Sequence, residues 1–312
     1  MIKTSTQLKD LVKNLSKTTG INSQILIRKY MMERFLERVS KSNYQSCFIL
    51  KGGMLISAFL GIEARSTMDI DTTVKGINVS IDEMEKIIKE ISSMDIGDQI
   101  EFNIKKVSEI MDEAKYAGIR FSMDATLDRA VIPLKIDIST GDVITPKEIK
   151  YSYQLMFEDR SIPIMTYPIE TILAEKLETI ISRSTTNTRM RDFYDIHVLI
   201  KSQEFNKEIL KKALIKTAKQ RGSLPLLDNA DKIISSIEKD VNMKRQWNIY
   251  KSNYPYAMEY SWYSLLISVR EISIDAGLDV QKPSVLKQLK KFNGGNNMIK
   301  YNDREKSNEA EI

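Results

Sequence analysis

Two aspartates separated by one residue, in Arg65-Ser66-Thr67-Met68-Asp69-Ile70-Asp71, are the first residues here that invite chemistry. On an extended strand, residues i and i+2 share a face, so Asp69 and Asp71 point one way and Met68, Ile70 and Thr72 the other. Parallel carboxylates at that spacing repel one another unless a cation lies between them. Mg²⁺ (or Mn²⁺) suits the role, because it takes oxygen ligands and is commonly shared with substrate phosphates. A third carboxylate, Asp137, lies in Leu134-Lys135-Ile136-Asp137-Ile138, where its apolar neighbours force it to the opposite face of the strand. If the two strands are neighbours in one sheet, Asp69, Asp71 and Asp137 converge on one or two metal ions. Such a site activates an attacking oxygen and stabilises a leaving phosphate. Taken alone, an Asp-x-Asp reads equally as two exposed strand-edge acids.

Lys51-Gly52-Gly53 stands one predicted strand upstream of the pair. A strand-to-helix turn without Cβ atoms brings backbone N–H groups against a phosphate, at the positive end of the following helix. It is not a P-loop, since no Gly-Lys-Ser/Thr follows. Further on, Ile169, Ile172, Leu173, Leu177 and Ile180 form one apolar helical stripe, and Lys176 falls near its middle. A lysine there costs stability unless its ammonium snorkels to the helix edge or meets an anion, such as a triphosphate in an adjoining cleft. If nucleotide is that anion, a methionine at position 176 folds at least as well as the lysine. Asp192 and Asp195 lie three apart on the next predicted helix, placed to hold Lys176, Arg183 or a base. A local Arg191–Asp195 pair at i, i+4 is the plainer use of the second.

The strand, Gly-Gly, helix and Asp-x-Asp order, with a third strand aspartate, resembles the DNA-polymerase-β-type nucleotidyltransferase superfamily. The fuller pattern, Lys-Gly-Gly then Arg-x-Thr-x-Asp-x-Asp, resembles its AbiEii branch, toxins of type IV toxin–antitoxin and abortive-infection systems. The likeness covers roughly residues 45–200 by motif and the rest by layout. Ala174-Glu175-Lys176 is similar to the branch's Ala-Glu-Lys helix, whose lysine is implicated in catalysis. Arg189-Met190-Arg191-Asp192-Phe193-Tyr194-Asp195 is similar to its Arg-x-Lys-Asp-x-x-Asp motif, with Arg191 keeping the charge of the usual lysine but changing its geometry. The resemblance implies that Asp69 and Asp71 bind metal and that Asp137 helps deprotonate an incoming hydroxyl. It implies that Gly52, Gly53 and Thr67 hold phosphate, that Lys51 and Arg65 add positive charge nearby, and that Lys176 contacts the triphosphate. A phage-defence toxin that moves an NMP from an NTP to RNA, especially a tRNA 3′ end, is the expected activity. The cognate antitoxin is expected to be encoded nearby and need not touch the toxin. A transferase acting on protein or a small molecule, and a non-catalytic nucleotide-binding regulator, are the alternatives.

The elements that must position these residues follow from periodicity. Ser23 caps a helix over 24–40, and Cys47 to Leu50 reads as a buried strand, with Cys47 a core residue. A helix over 54–60 ends at Gly61, a strand spans 68–74, and Ser80 caps a helix over 81–92. Strands follow over 99–107, 119–127 and 132–138, the last two joined by a hairpin at Asp128-Arg129, and then over 163–167. Beyond Pro168 the pattern is helical: 169–183, 190–201, 207–220, 230–241 and 257–274. This predicts an α+β fold, a nucleotidyltransferase mixed-sheet core with flanking helices over 1–165, then an all-helical domain over 166–292 and a polar, disordered tail over 293–312.

Composition removes several other chemistries. Among 312 residues there are one Cys and one His, which excludes a disulfide framework and zinc centres built on paired histidines. His197 lies on the apolar side of its helix and reads as a packed core residue. Residues 1–14 lack the apolar core of a signal peptide, and no apolar run approaches the ~20 residues of a membrane span, so a cytoplasmic protein without membrane contact is expected. The net charge of +5 is uneven, with 18 Lys/Arg against 10 Asp/Glu over 201–300. That excess fits either a polyanionic partner or solvated helix faces. Trp247, Tyr250, Tyr254 and Tyr256 lie among basic residues and fit either aromatic packing or base stacking.

Overall fold

Two helices open the chain in the computed structural model, which describes residues 2–77, 79–110 and 118–282. The expected tail over 293–312 lies outside the described residues. Helix α1 (Ser5–Thr19) is capped by Thr4, and α2 (Ser23–Lys41) by Asn22, whose side chain accepts from the Gln24 N–H, rather than by Ser23. Strand β1 (Phe48–Lys51) runs straight into α3 (Gly52–Leu60), which Gly61 ends at φ 85°. Cys47 sits in the turn ahead of β1 and is half-buried, so it is not the core strand residue that its apolar neighbours predict. Strand β2 (Ile70–Val74) starts two residues later than expected, leaving Asp69 in the bend that leads into it. Helix α4 (Ile81–Ser92) is capped by Ser80 as predicted.

Strands β3 (Glu101–Ile110), β4 (Gly118–Leu127) and β5 (Ala130–Ser139) form a meander, with Asp128 taking the positive φ (51°) of the hairpin turn. Strand β6 (Ile149–Gln154) escaped the periodicity because it is an edge strand in which Tyr153 alone is fully buried. Strand β7 (Ser161–Thr166) completes a mixed sheet in the order β3-β4-β5-β2-β1-β7-β6. Strand β2 pairs parallel with β5 and antiparallel with β1. The register sets Lys51 of β1 opposite Asp71 of β2, Asp71 opposite Asp137 of β5, and Asp137 opposite Arg120 of β4. One row across four strands thus carries two acids flanked by two cations. The alternate residues Ile70, Ile136 and Ile138 are buried on the other face, where α2 packs on β5 and β7.

The remainder is helical. Helices α5 (Ile169–Arg183), α6 (Met190–Ser202), α7 (Lys207–Arg221), α8 (Leu224–Leu227) and α9 (Ala230–Lys239) are followed by α10 (Val241–Asn253) and α11 (Trp262–Asp275). The helix expected over 230–241 stops earlier because Asp240 ends α9 and caps α10, its carboxylate accepting from the N–H groups of Asn242 and Met243. A short 3₁₀ turn at Pro255–Ala257 delays α11 to Trp262. Residues 1–281 cluster as one unit in which α3 touches both the sheet and α6. Among the described residues no helix is long and apolar enough to cross a membrane.

The aromatic run packs inward. Trp247 is buried, donates from Nε1 to the Tyr260 carbonyl (3.2 Å), and is stacked by Tyr250, while Tyr254 stays 39 % exposed. His197 is buried against Ser268 Oγ (2.8 Å) and the Tyr260 ring, and burial holds its pKa down at about 4.

Helix α2 carries an unusual buried charge cluster. Arg38 grips Asp98 with two hydrogen bonds (2.8 and 2.7 Å), and Arg160 grips Glu37 likewise (2.9 and 2.8 Å). Glu33 has no such bidentate partner: it accepts from the Met156 N–H (3.0 Å) and Tyr153 OH (3.3 Å), and burial pushes its carboxyl up to about 7. The folded protein therefore keeps this proton while the unfolded chain loses it near its ordinary value of 4.5. Stability from this group is present below that value and is lost as pH rises through about 7. Glu33→Gln removes the titration and keeps an acceptor. Its melting temperature relative to the parent should climb between about pH 4.5 and 7 and then level off. A pH-independent difference would mean that Glu33 is ionised in the folded state.

Candidate active site

The charged row of the sheet floors a cleft of about 570 Å³, whose opposite wall is built from α5, the start of α6 and the end of α7. Asp69, Asp71 and Asp137 all line it, as do Lys51, Gly52, Gly53, Arg65, Thr67, Lys176 and Asp192. Asp195 lies behind this wall, fully buried. The sheet places Asp71 and Asp137 side by side because β2 and β5 pair in parallel at that register, while Asp69 joins them from the bend.

Asp71 is half-buried at the centre of the arrangement. Burial raises its carboxyl pKa, Asp137 and Asp69 raise it further, and Lys51 and Arg191 oppose them. Among the described residues, no hydrogen bond or ion pair reaches the carboxylate of Asp69 or Asp71. Gly52 explains why the turn needs glycine. It has φ 66°, and a Cβ there would stand 2.1 Å from Asp71 Oδ2. A Cβ on Gly53 would stand 2.6 Å from Thr67 Oγ1. The two glycines thus let the first turn of α3 close over Asp71 and Thr67, and no side chain caps that helix start.

Asp137 is differently placed. Both of its oxygens are held by Arg120, from Nε at 2.7 Å and Nη2 at 2.6 Å. Among the described residues, no three Asp, Glu, His or Cys side chains stand ready to hold a metal ion. The three-carboxylate site expected from the sequence is therefore not preassembled. The donor chemistry of Asp69 and Asp71 fits a divalent cation, since these are oxygen ligands of one sign with no cation of their own.

Lys51 does not reach across to Asp71 but binds Asp142 Oδ2 at 2.5 Å. Ser139 (2.7 Å) and Tyr167 (2.8 Å) donate to the same oxygen, and against the effect of burial these partners hold Asp142 at about 2. On the helical wall, Lys176 donates to Asp192 Oδ1 (2.8 Å) and Asp195 Oδ2 (2.7 Å). Asp195 also accepts from Arg65 Nε (2.8 Å), and Arg189 Nε lies 2.8 Å from Asp192 Oδ2. Burial disfavours both aspartate charges, yet Lys176 and Arg189 at Asp192, and Arg65 and Lys176 at Asp195, hold both pKa values below normal. The anion that Lys176 needed is thus supplied by the protein, and the plain Arg191–Asp195 pair does not form. Arg191 lines the cleft without an ion-pair partner among the described residues.

The model of the family described as "Nucleotidyl transferase AbiEii toxin, Type IV TA system" matches residues 34–271. The chain belongs to the AbiEii family. No curated protein matches this AbiEii chain. Among solved structures it is similar to JHP933 from Helicobacter pylori, at 20% identity over 88% of this chain and 98% of that one, with a TM-score of 0.46. It is also similar to an antigenic nucleotidyltransferase-like protein from Paracoccidioides brasiliensis, at 15% identity over 62% of this chain and 89% of that one, with a TM-score of 0.32.

Arg120, Asp142 and Arg221 are cleft residues of this AbiEii protein that escaped sequence reasoning. Arg120 alternates with Ile119 and Phe121 just as Asp137 does with its isoleucines, so its face was readable though its partner was not. Arg221 reaches Glu178 (2.6 Å) and Glu175 (3.4 Å) from the far end of α7.

The buried Lys176 pairs reverse one expectation from the sequence, that a methionine there is harmless. Removing one member of a buried ionic cluster costs about 3–5 kcal/mol, and the lower end applies because Arg65 and Arg189 remain. Lys176→Met should melt below the parent, and adding Asp192→Asn with Asp195→Asn, which strips Arg65 and Arg189 of their own partners, should lower the melting temperature further. Equal melting of Lys176→Met and parent would show that these pairs contribute nothing to folding.

Proposed function

We propose that this AbiEii-family protein is a divalent-metal-dependent nucleotidyltransferase that moves an NMP from an NTP to an RNA hydroxyl, with the tRNA 3′ end as acceptor. The observation that carries the reading is the pair of unpartnered carboxylates, Asp69 and Asp71, facing a cation-rich wall in one cleft. A triphosphate matches that wall in charge. Among the described residues Arg191 has no carboxylate to satisfy, and the uncapped first turn of α3 at Gly52-Gly53 offers backbone N–H groups to phosphate. Asp69 and Asp71 would hold Mg²⁺ or Mn²⁺, which when bound neutralises charge on the phosphates. The acceptor hydroxyl oxygen bonds to the α-phosphorus, the bond from that phosphorus to the bridging β-oxygen breaks, and pyrophosphate leaves. Asp137 would receive the hydroxyl proton once Arg120 releases one of its oxygens. Lys176 and Arg189, tethered through Asp192 and Asp195, keep the helical wall in register with the Arg65–Asp69 loop.

RNA is favoured over a protein or small-molecule acceptor by the outer face of α7. Lys211, Lys212, Lys216 and Lys219 are exposed there, and the same helix carries Arg221 into the cleft. A pure binding module has no need of two half-buried, mutually repelling acids. Toxicity by disabling tRNA, a role in phage defence, and control by an antitoxin encoded nearby complete the reading.

Incubation of the protein with each α-³²P-NTP, Mg²⁺ and total cellular RNA or protein tests it directly. RNA should be labelled, and Asp71→Asn should lose transfer by orders of magnitude while keeping the parental fold. Near-parental labelling by that variant would remove the carboxylates from the chemistry. Separately, RNA binding should fall steeply with salt, and reversing the charge of Lys212, Lys216 and Lys219 together should weaken it while NTP binding persists. Unchanged RNA affinity in that variant would point to another acceptor.

A further inference from the structure

We infer that Arg120 is an internal competitor of the metal: a guanidinium that neutralises Asp137 in the metal-free protein and must let go for the carboxylate row to take up a divalent cation. The inference rests on the transferase reading above and concerns what sets its metal affinity. The sheet register is its foundation. Asp71 and Asp137 are directly opposed, and like charges so placed destabilise a sheet. The row has two cations to offset them, Lys51 beside Asp71 and Arg120 beside Asp137. Lys51 is drawn away to Asp142, where Ser139 and Tyr167 share the same oxygen. That leaves Arg120 as the row's counter-ion, and it is bound in the strongest geometry available, two parallel N–H···O bonds at 2.7 and 2.6 Å.

The same geometry makes the grip releasable. Arg120 is 38 % exposed at the side chain against 20 % for Asp137, and among the described residues Asp137 is its only hydrogen-bond partner. By contrast, Arg65 is buried and tied both to Asp195 and to the Ser66 carbonyl, and Lys176 is tied to two aspartates. Arg120 lines the cleft and is the more exposed member of the pair, so its guanidinium can swing toward solvent or an arriving phosphate without breaking another hydrogen bond among the described residues. A metal ion alone must displace it at full cost. A metal ion arriving with a triphosphate brings the guanidinium a replacement anion. Metal and nucleotide are therefore expected to bind cooperatively, with Arg120 carrying the coupling.

Mn²⁺ binding measured by EPR on the full chain, with and without a non-hydrolysable NTP analogue, tests this without any turnover. Without nucleotide, Arg120→Gln should bind Mn²⁺ at least about tenfold more tightly than the parent, in keeping with loss of a charge-assisted double hydrogen bond. The analogue should tighten Mn²⁺ binding in the parent and do so much less in Arg120→Gln. Asp71→Asn should abolish binding in both backgrounds, which fixes the site being read. An orienting role for Arg120 predicts the opposite sign, since removing such a partner weakens metal binding about 10–100-fold. Unchanged or weaker binding in Arg120→Gln, with loss in Asp71→Asn, would overturn the inference and leave the transferase reading intact. Absence of Mn²⁺ binding in the parent, with or without analogue, would remove the metal reading and this inference with it. Arg120→Lys serves where the glutamine variant does not fold: it keeps the charge but cannot span both oxygens, and should show a smaller gain of the same sign.

Discussion

The repulsion between Asp71 and Asp137, held in register on adjacent parallel strands, is the interaction around which the rest of this protein is arranged. A sheet that opposes two carboxylates must offset them, and each neighbour of the pair can be read as a response. Arg120 closes one end of the row. At the other end Gly52 gives up its side chain so that the turn into α3 can lie over Asp71. Lys51, the cation opposite Asp71, is held off by Asp142 and the two hydroxyls that share its oxygen. The outcome is asymmetric, with one carboxylate covered and one left open in a cleft.

A second set of charges makes that cleft a rigid object. Arg65, Asp195, Lys176, Asp192 and Arg189 form a continuous chain of ion pairs from the loop before β2 through α5 to the start of α6. The loop that carries Asp69 is thereby anchored to the helical wall by a buried contact rather than left to its own flexibility. Tyr194 adds to the anchorage by donating its hydroxyl to the Ala64 carbonyl. Buried ionic clusters of this kind contribute little net stability over an apolar equivalent, but they penalise any arrangement that leaves one member unpaired. Their value here is in fixing where α5 and α6 stand relative to the carboxylate row.

The division of charge between the two walls carries the functional logic. The sheet contributes Asp71 and Asp137 beside Lys51 and Arg120, the helices contribute Arg183, Arg189, Arg191 and Arg221 beside Glu175, Glu178 and Asp192, and the cleft between them is lined mostly by polar groups. In the function proposed above, the ligand presents a polyanion to the arginines of the helices and brings a cation to the acids of the sheet. Nucleotide with a divalent metal has that composition, in agreement with membership of the AbiEii family.

Much of this was legible in the sequence. Period-two alternation fixed which face of their strands Asp71 and Asp137 share, and helical periodicity gave α5 its observed bounds and set Lys176 in the middle of its apolar stripe. Those are local properties, set by the geometry of a strand or helix whatever lies around it. Charge pairings were not legible, because they depend on which side chains meet. The hairpin at Asp128-Arg129 predicts β4 beside β5, but nothing within Ile119-Arg120-Phe121 says that Arg120 will grip both oxygens of Asp137. Nothing near Lys176 says that its anion will be two aspartates of the same chain rather than a bound phosphate. The sequence determined which groups carry charge and which way each faces on its own element. Only the tertiary structure decided which charges are already spent on one another and which are left for a ligand, because Coulomb partners are chosen by distance in space and not by distance along the chain.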